Sequence, residues 1–177
     1  MKSDVTPHCQ PCAGAGTGFV FICPGRHEAR RGYPCAAGTG ANLGRVLAML
    51  HARRPDRFPS PDREKYVITN SWDRIEYPAL TGRSVPQEAE VLATANLDRL
   101  RGEIQSLHLI VACGAQAKAA VRALQAGGLL AGQVAFGRHL SQRSVNMIAG
   151  GIDTPSRLAR WCDDLLVQID ATDPNPD

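Results

Sequence analysis

The sequence predicts an α/β protein, a three-layer α/β/α sandwich built on a short central parallel sheet of four strands. Three observations carry that prediction. Short apolar runs are cut off by Pro, Gly or Asn, the pattern of strands buried on both faces. Segments with apolar residues at helical spacing alternate with those runs. The chain has 177 residues, 44% hydrophobic and 21% charged, which is enough for one core and ordinary for a globular domain. Residues 1–177 are read as a single domain, with residues 1–18 as an N-terminal arm and residues 170–177 as a frayed tail.

The first predicted strand is residues 19–23 (FVFIC), ended at once by Pro24 and Gly25. A loop rich in Arg and Gly follows. Leu43, Val46, Leu47 and Leu50 then recur at helical spacing and predict a helix over residues 41–53, capped by Asn42 or Thr39. Residues 54–65, dense in Pro and Arg, read as loop. Residues 66–69 (YVIT) are the second strand, with Asn70 just past its end. Pro, Gly and aromatic residues make residues 71–86 an irregular excursion. A long helix is predicted over residues 86–104, with Val91, Leu92, Ala95, Leu97, Leu100 and Ile104 facing the core. Residues 107–113 (LHLIVAC) form the third strand, closed by Gly114, and residues 115–126 an Ala-rich helix ending at Gly127 and Gly128. Residues 134–136 are the fourth strand and deliver residues 137–144 as a loop. Residues 154–169 read as the last helix, with Leu158, Trp161, Leu165 and Leu166 on one face.

Ligands on parallel sheets sit beyond the carboxyl ends of the strands. Residues 24–40, 70–84 and 137–144 all leave strands in that direction, so function is sought where they converge. A net charge of +3 is compatible with nucleic acid without requiring it. The basic residues cluster at Arg26, Arg30 and Arg31, at Arg53, Arg54 and Arg57, and at Arg138 and Arg143. No stretch approaches the roughly 18 apolar residues of a membrane span. Residues 1–11 lack the apolar segment of a secretion signal. The expectation is a soluble, cytoplasmic protein with no membrane contact, whose six cysteines are reduced thiols.

The most specific feature is Cys23-Pro24-Gly25-x-x-Glu28-x-x-x-Gly32-x-Pro34, which continues through Gly38-Thr39-Gly40 into a helix whose N-terminal amides can hold an anion. Three more motifs follow: the strand ending at Asn70, Gly114-Ala115-x-Ala117 after the third strand, and His139-Leu140-Ser141. In this order, over about residues 9–148, the four resemble the motifs of the uracil-DNA glycosylase superfamily, above all the branch that carries an iron–sulfur cluster.

That resemblance implies a monofunctional glycosylase that removes uracil or a related deaminated base from DNA by hydrolysis of the N-glycosidic bond. It implies a monomer whose partner is DNA containing that base. Asn70 matches the Asn that reads the base edge; an amide both donates to a carbonyl and accepts from an imide N–H. His139 matches the His that stabilises charge on the departing base. Cys23, Pro24, Gly25 and Cys35 would line the sugar and base. Arg26, Gly38, Thr39, Ser141 and Arg143 would hold DNA phosphates, and Arg138 or Arg143 would wedge or clamp the strand.

The sequence departs from the family pattern in three places. Ile22 and Cys23 stand where a water-positioning Asp, Asn or Glu is common, which leaves Glu28 or Asp73 to stabilise the cation or orient water. Cys35 or Ala36 replaces the aromatic residue that stacks on the base, so Tyr33, Trp72 or Tyr77 would supply that face. Cys9 and Cys12 match half of the cluster site, but Ser71 and Trp72 stand at the third ligand position and Ala93 or Thr94 near the fourth. Two thiols cannot hold a cubane that takes four. A zinc site using His8 and a further cysteine is the alternative there; the reading is of no metal and no cofactor. Two other functions stay open: a uracil- or DNA-binding module that has lost catalysis, and an enzyme of free nucleosides or nucleotides.

Overall fold

The structure is a computed structural model that describes residues 5–172. Among them are five strands, β1 (Cys9–Gln10), β2 (Thr17–Phe21), β3 (Val67–Asn70), β4 (Leu109–Cys113) and β5 (Gln133–Gly137). They form one sheet in the order β1-β3-β2-β4-β5, in which β3, β2, β4 and β5 run parallel and β1 pairs antiparallel with β3. The expected sheet of four parallel strands is therefore a mixed sheet of five. The added strand lies inside the segment read as an N-terminal arm. Two residues are too few to show alternation, so β1 leaves no periodic signal.

Eight helices accompany the sheet among the described residues: α1 (Arg26–Arg31), α2 (Gly38–Arg53), α3 (Pro78–Thr81), α4 (Glu88–Val91), α5 (Thr94–Ile104), α6 (Ala115–Ala126), α7 (Gln142–Asn146) and α8 (Thr154–Ala171). Two apolar layers sandwich the sheet. Phe19, Phe21, Ile68, Leu109, Val111 and Ala135 pack with Leu43, Val46, Leu47 and Leu50 of α2 and with Leu158, Trp161 and Leu165 of α8. Val20, Val67, Ile110 and Ala112 pack on the other face with Leu100 and Ile104 of α5 and with Ala117, Ala120, Val121 and Leu124 of α6. Alternate residues of each strand serve opposite layers, which is why the strands read as unbroken apolar runs.

Three expectations change in detail. The helix predicted over residues 86–104 is broken: Ala93 is extended (φ −59°, ψ 137°) between α4 and α5. Buried Asn96 explains the break, because its Nδ2 donates to Val91 O and Ser71 O, both at 2.7 Å, and so pairs a carbonyl that an unbroken helix would have used. The loop after β2 contains α1, and the loop after β5 contains α7, capped by Ser141 Oγ, which accepts from the Ser144 N–H at 3.4 Å. Asp170 and Ala171, expected in a frayed tail, belong to α8; residues 173–177 lie outside the described residues. No described helix is long and apolar enough to cross a membrane.

Candidate active site

His139 follows β5 and is held from three directions. Trp161 of α8 packs over Gly137, where a Cβ would come within 2.4 Å of its ring, and its Nε1 donates to Arg138 O at 2.9 Å. Asn42 of α2 donates to Leu140 O at 2.9 Å. The Ser141 N–H donates to His139 Nδ1 at 3.1 Å, so Nδ1 is an acceptor and the neutral ring carries its proton on Nε2. Burial pushes the His139 pKa below the ordinary 6.5, and nearby Glu28 pulls it partly back. The result is a neutral imidazole with one N–H free to donate.

The imidazole lies at the point where the sheet connections diverge. The chain leaves β2 toward α2 on one face and leaves β4 toward α6 on the other. Gly114, just past β4, has φ +100°, and a Cβ there would meet Ile22 at 2.8 Å and His139 Cβ at 3.3 Å. A glycine lets the ends of β2, β4 and β5 close up around His139. Phe21, the last residue of β2, meets the imidazole edge-on at 5.7 Å between ring centres.

Phe21 is also the register partner of Asn70. Paired residues of parallel strands lean to one face, so Asn70 and His139 occupy the same end and face of the sheet with Phe21 between them. No hydrogen bond joins them. Asn70 is 2% exposed, and its Nδ2 donates to His8 O at 3.0 Å. Its backbone carbonyl accepts from Arg99 at 3.1 Å.

The loop between β2 and α2 is tied down by ionic side chains acting on backbone. Glu28 accepts from the Gly25 N–H at 2.9 Å and from the Ala36 N–H at 2.8 Å. Arg31 donates to Ala36 O at 2.6 Å, and Arg63 donates to Cys35 O at 3.0 Å and Pro34 O at 2.6 Å. Cys35 itself is buried with φ +51°, a left-handed backbone that a non-glycine residue rarely adopts. Cys23 donates weakly to Ser84 O at 3.6 Å, and burial pushes its thiol up to about 12. The strand edge continues past β2, where Ser71 N, Trp72 N and Glu76 N donate to the carbonyls of Phe21, Ile22 and Pro24.

The remaining sequence candidates are scattered. Tyr33 lies under the Arg63 guanidinium and lines a cleft with Gln10 and Pro11. Trp72 and Asp73 line another cleft with Arg74, Asn96 and Arg99, and the Trp72 indole donates to Glu76 Oε1 at 3.0 Å. Arg26 stacks on Tyr77, Gly38 and Thr39 form the first turn of α2, and Arg143 is exposed on α7. Ser141 is a helix cap. The Glu28 charge thus reaches both Cys35 and His139, whereas Tyr33, Trp72 and Asp73 stand in other clefts.

Sequence reasoning missed two groups. Asn42 and Trp161 position the His139 turn from 98 and 23 residues away, which no local pattern reveals. Lys118, Arg138 and Arg160 line one cleft with a single carboxylate, Asp164, beside the same turn. No family model and no curated protein matches this chain.

Proposed function

We propose that the protein is a cytoplasmic N-glycosidase that removes uracil or a related deaminated base from DNA, as in base excision repair. The observation that carries the reading is the half-buried, neutral His139, anchored on both sides and left with one N–H donor at the carboxyl end of the sheet. Such a donor stabilises the oxyanion that forms on a departing base, and a neutral imidazole does so without a prior proton transfer. Glycosidic bonds break through an oxocarbenium-like state, so stabilising the leaving group lowers the barrier even with little nucleophilic push from water.

The cleft of Lys118, Arg138 and Arg160 supports a polyanionic substrate, since none of these cations forms an ion pair within the described residues. Arg122 stacks on Phe136, which lines this cleft. Like charges gathered without a partner repel one another, and a phosphate backbone removes that penalty. Extruding a base costs unstacking energy that such phosphate contacts offset.

A second reading, a base-binding module without turnover, is favoured by Asn70. One of its two Nδ2 hydrogens is committed to His8 O and the residue is 2% exposed, so little of the amide edge is open to a base. Glu28 also spends both oxygens on backbone amides. The deciding experiment is uracil release from single- and double-stranded DNA with enzyme in excess. Release abolished by His139→Ala in a folded variant supports the glycosidase. Stable binding of uracil-containing DNA with no release supports the module, and neither binding nor release ends both readings.

A further inference from the structure

At the sheet edge away from His139, three different ligand types converge from two elements. One ligand atom from each of His8, Cys9 and Glu103 lies within 4.8 Å of the others, and His8 Nε2 and Glu103 Oε1 are 3.2 Å apart. His8 and Cys9 come with the edge strand β1, and Glu103 comes from α5. We propose that this cluster is a zinc site that fastens β1 to α5, with water completing the tetrahedron.

The donor set and its supports fit that ion. Zinc takes Cys, His and carboxylate ligands at about 2.0–2.3 Å, which places the ligand atoms of a tetrahedral site about 3.5 Å apart. Small side-chain rotations bring the three atoms to that spacing. His8 and Glu103 are already oriented by neighbours, as metal ligands generally are. Thr6 Oγ1 lies 3.0 Å from His8 Nδ1 and can accept the ring proton there once Nε2 exchanges its contact with Glu103 for the ion. Thr69 Oγ1 donates to Glu103 Oε2 at 2.5 Å and Arg99 donates to the same oxygen at 2.9 Å, which leaves Oε1 for the metal. On binding, the Cys9 thiol releases its proton to solvent, and thiolate and carboxylate together supply two negative charges against the single positive charge of Arg99.

The site reaches the proposed base reader through one bond, because His8 O is the acceptor of Asn70 Nδ2. Fixing His8 fixes the carbonyl that holds the amide. Only one thiol of the Cys9-x-x-Cys12 pair takes part, so the ligand set differs from a four-thiol cluster. The inference does not depend on the glycosidase reading.

The test uses the full chain, stripped of metal with a chelator and titrated with Zn²⁺ against a chromophoric competitor, then with Co²⁺. Expected are about one equivalent bound and a thiolate-to-cobalt charge-transfer band in the near ultraviolet. Cys9→Ser abolishes the band, and Glu103→Gln weakens zinc binding by at least about 10-fold while its circular dichroism stays native. Cys12→Ser leaves both unchanged. Absence of stoichiometric binding to the folded wild type overturns the proposal. So does binding that survives Cys9→Ser, or that is lost equally in Cys12→Ser, since the site would then be elsewhere or be the thiol pair.

Discussion

Two long loops leave the sheet in the same direction, residues 22–37 after β2 and residues 71–93 after β3, and opposite means hold them. In the first, charged groups grip neutral backbone: Glu28 on two amides, Arg31 and Arg63 on three carbonyls. In the second, charge grips charge. Arg83 lies between Glu76 and Glu90, at 2.6 Å from each, and Trp72 donates to Glu76 as well. A carboxylate satisfied by amides keeps its net charge, and that of Glu28 acts on His139. A carboxylate matched by a guanidinium has little field left to exert. The first loop can serve chemistry, whereas the second is a structural tie across the carboxyl edge.

The largest effect expected from this difference is in catalysis. On the glycosidase reading, His139→Ala, which takes the donor away, is expected to lower base release by about 10²–10³-fold, the usual loss on removing one donor to a developing oxyanion, in a variant that still folds. A full loss of fold instead would make His139 a structural residue. Because burial holds the folded imidazole below 6.5, its neutral form persists as pH falls through 6.5, and release measured across that range stays level. Stability from the same group is complete above 6.5 and is lost below it, as pH falls through the folded pKa.

Backbone fit separates the loops next. A Cβ at Gly40 would lie 1.9 Å from Cys35 O, so Gly40→Ala displaces the strained turn beneath the site. Urea unfolding is expected to register a loss of about 3 kcal/mol. Gly82, in the second loop, has φ +74° but open space around it, so Gly82→Ala meets only conformational strain of about 1 kcal/mol. Equal losses would erase the contrast.

Glu28→Gln is a smaller perturbation. The amide accepts one of the two backbone N–H groups and leaves the other unpaired, at a cost of about 1–2 kcal/mol in the same assay. Glu76→Gln removes a stabilisation that is complete at neutral pH, and its mark is the acid limb. Its hydrogen bonds with Arg83 hold the Glu76 carboxyl at about 2, against an ordinary 4.5. That stability is present above 4.5 and is lost as pH falls toward 2, so the variant should show a flatter decline across this window.

Much of the architecture was legible because burial on both faces makes strands apolar throughout. The run FVFIC announced β2 two residues late, since Ile22 and Cys23 continue the apolar run after the strand has ended at Phe21. The helix over Ala115–Ala126 matched residue for residue because Gly114 and Gly127 punctuate it. The break at Ala93 was illegible, for it depends on Asn96 reaching Ser71, 25 residues away. Within the site, the residue types at Glu28 and His139 were visible, but the partners that orient His139 were not. Trp161 and Asn42 read as ordinary helix residues until the fold sets them against one turn.

By itself the sequence determined the α/β class, the order of the parallel strands' elements along the chain, and which loops leave the carboxyl edge, because hydrophobic periodicity and Gly/Pro punctuation are local properties. Tertiary structure alone decided that β1 closes the edge, that Asn70 turns its amide to His8, and that His8, Cys9 and Glu103 meet. Those facts join residues far apart in the chain, and only packing of β1 against β3 and α5 brings them within bonding distance.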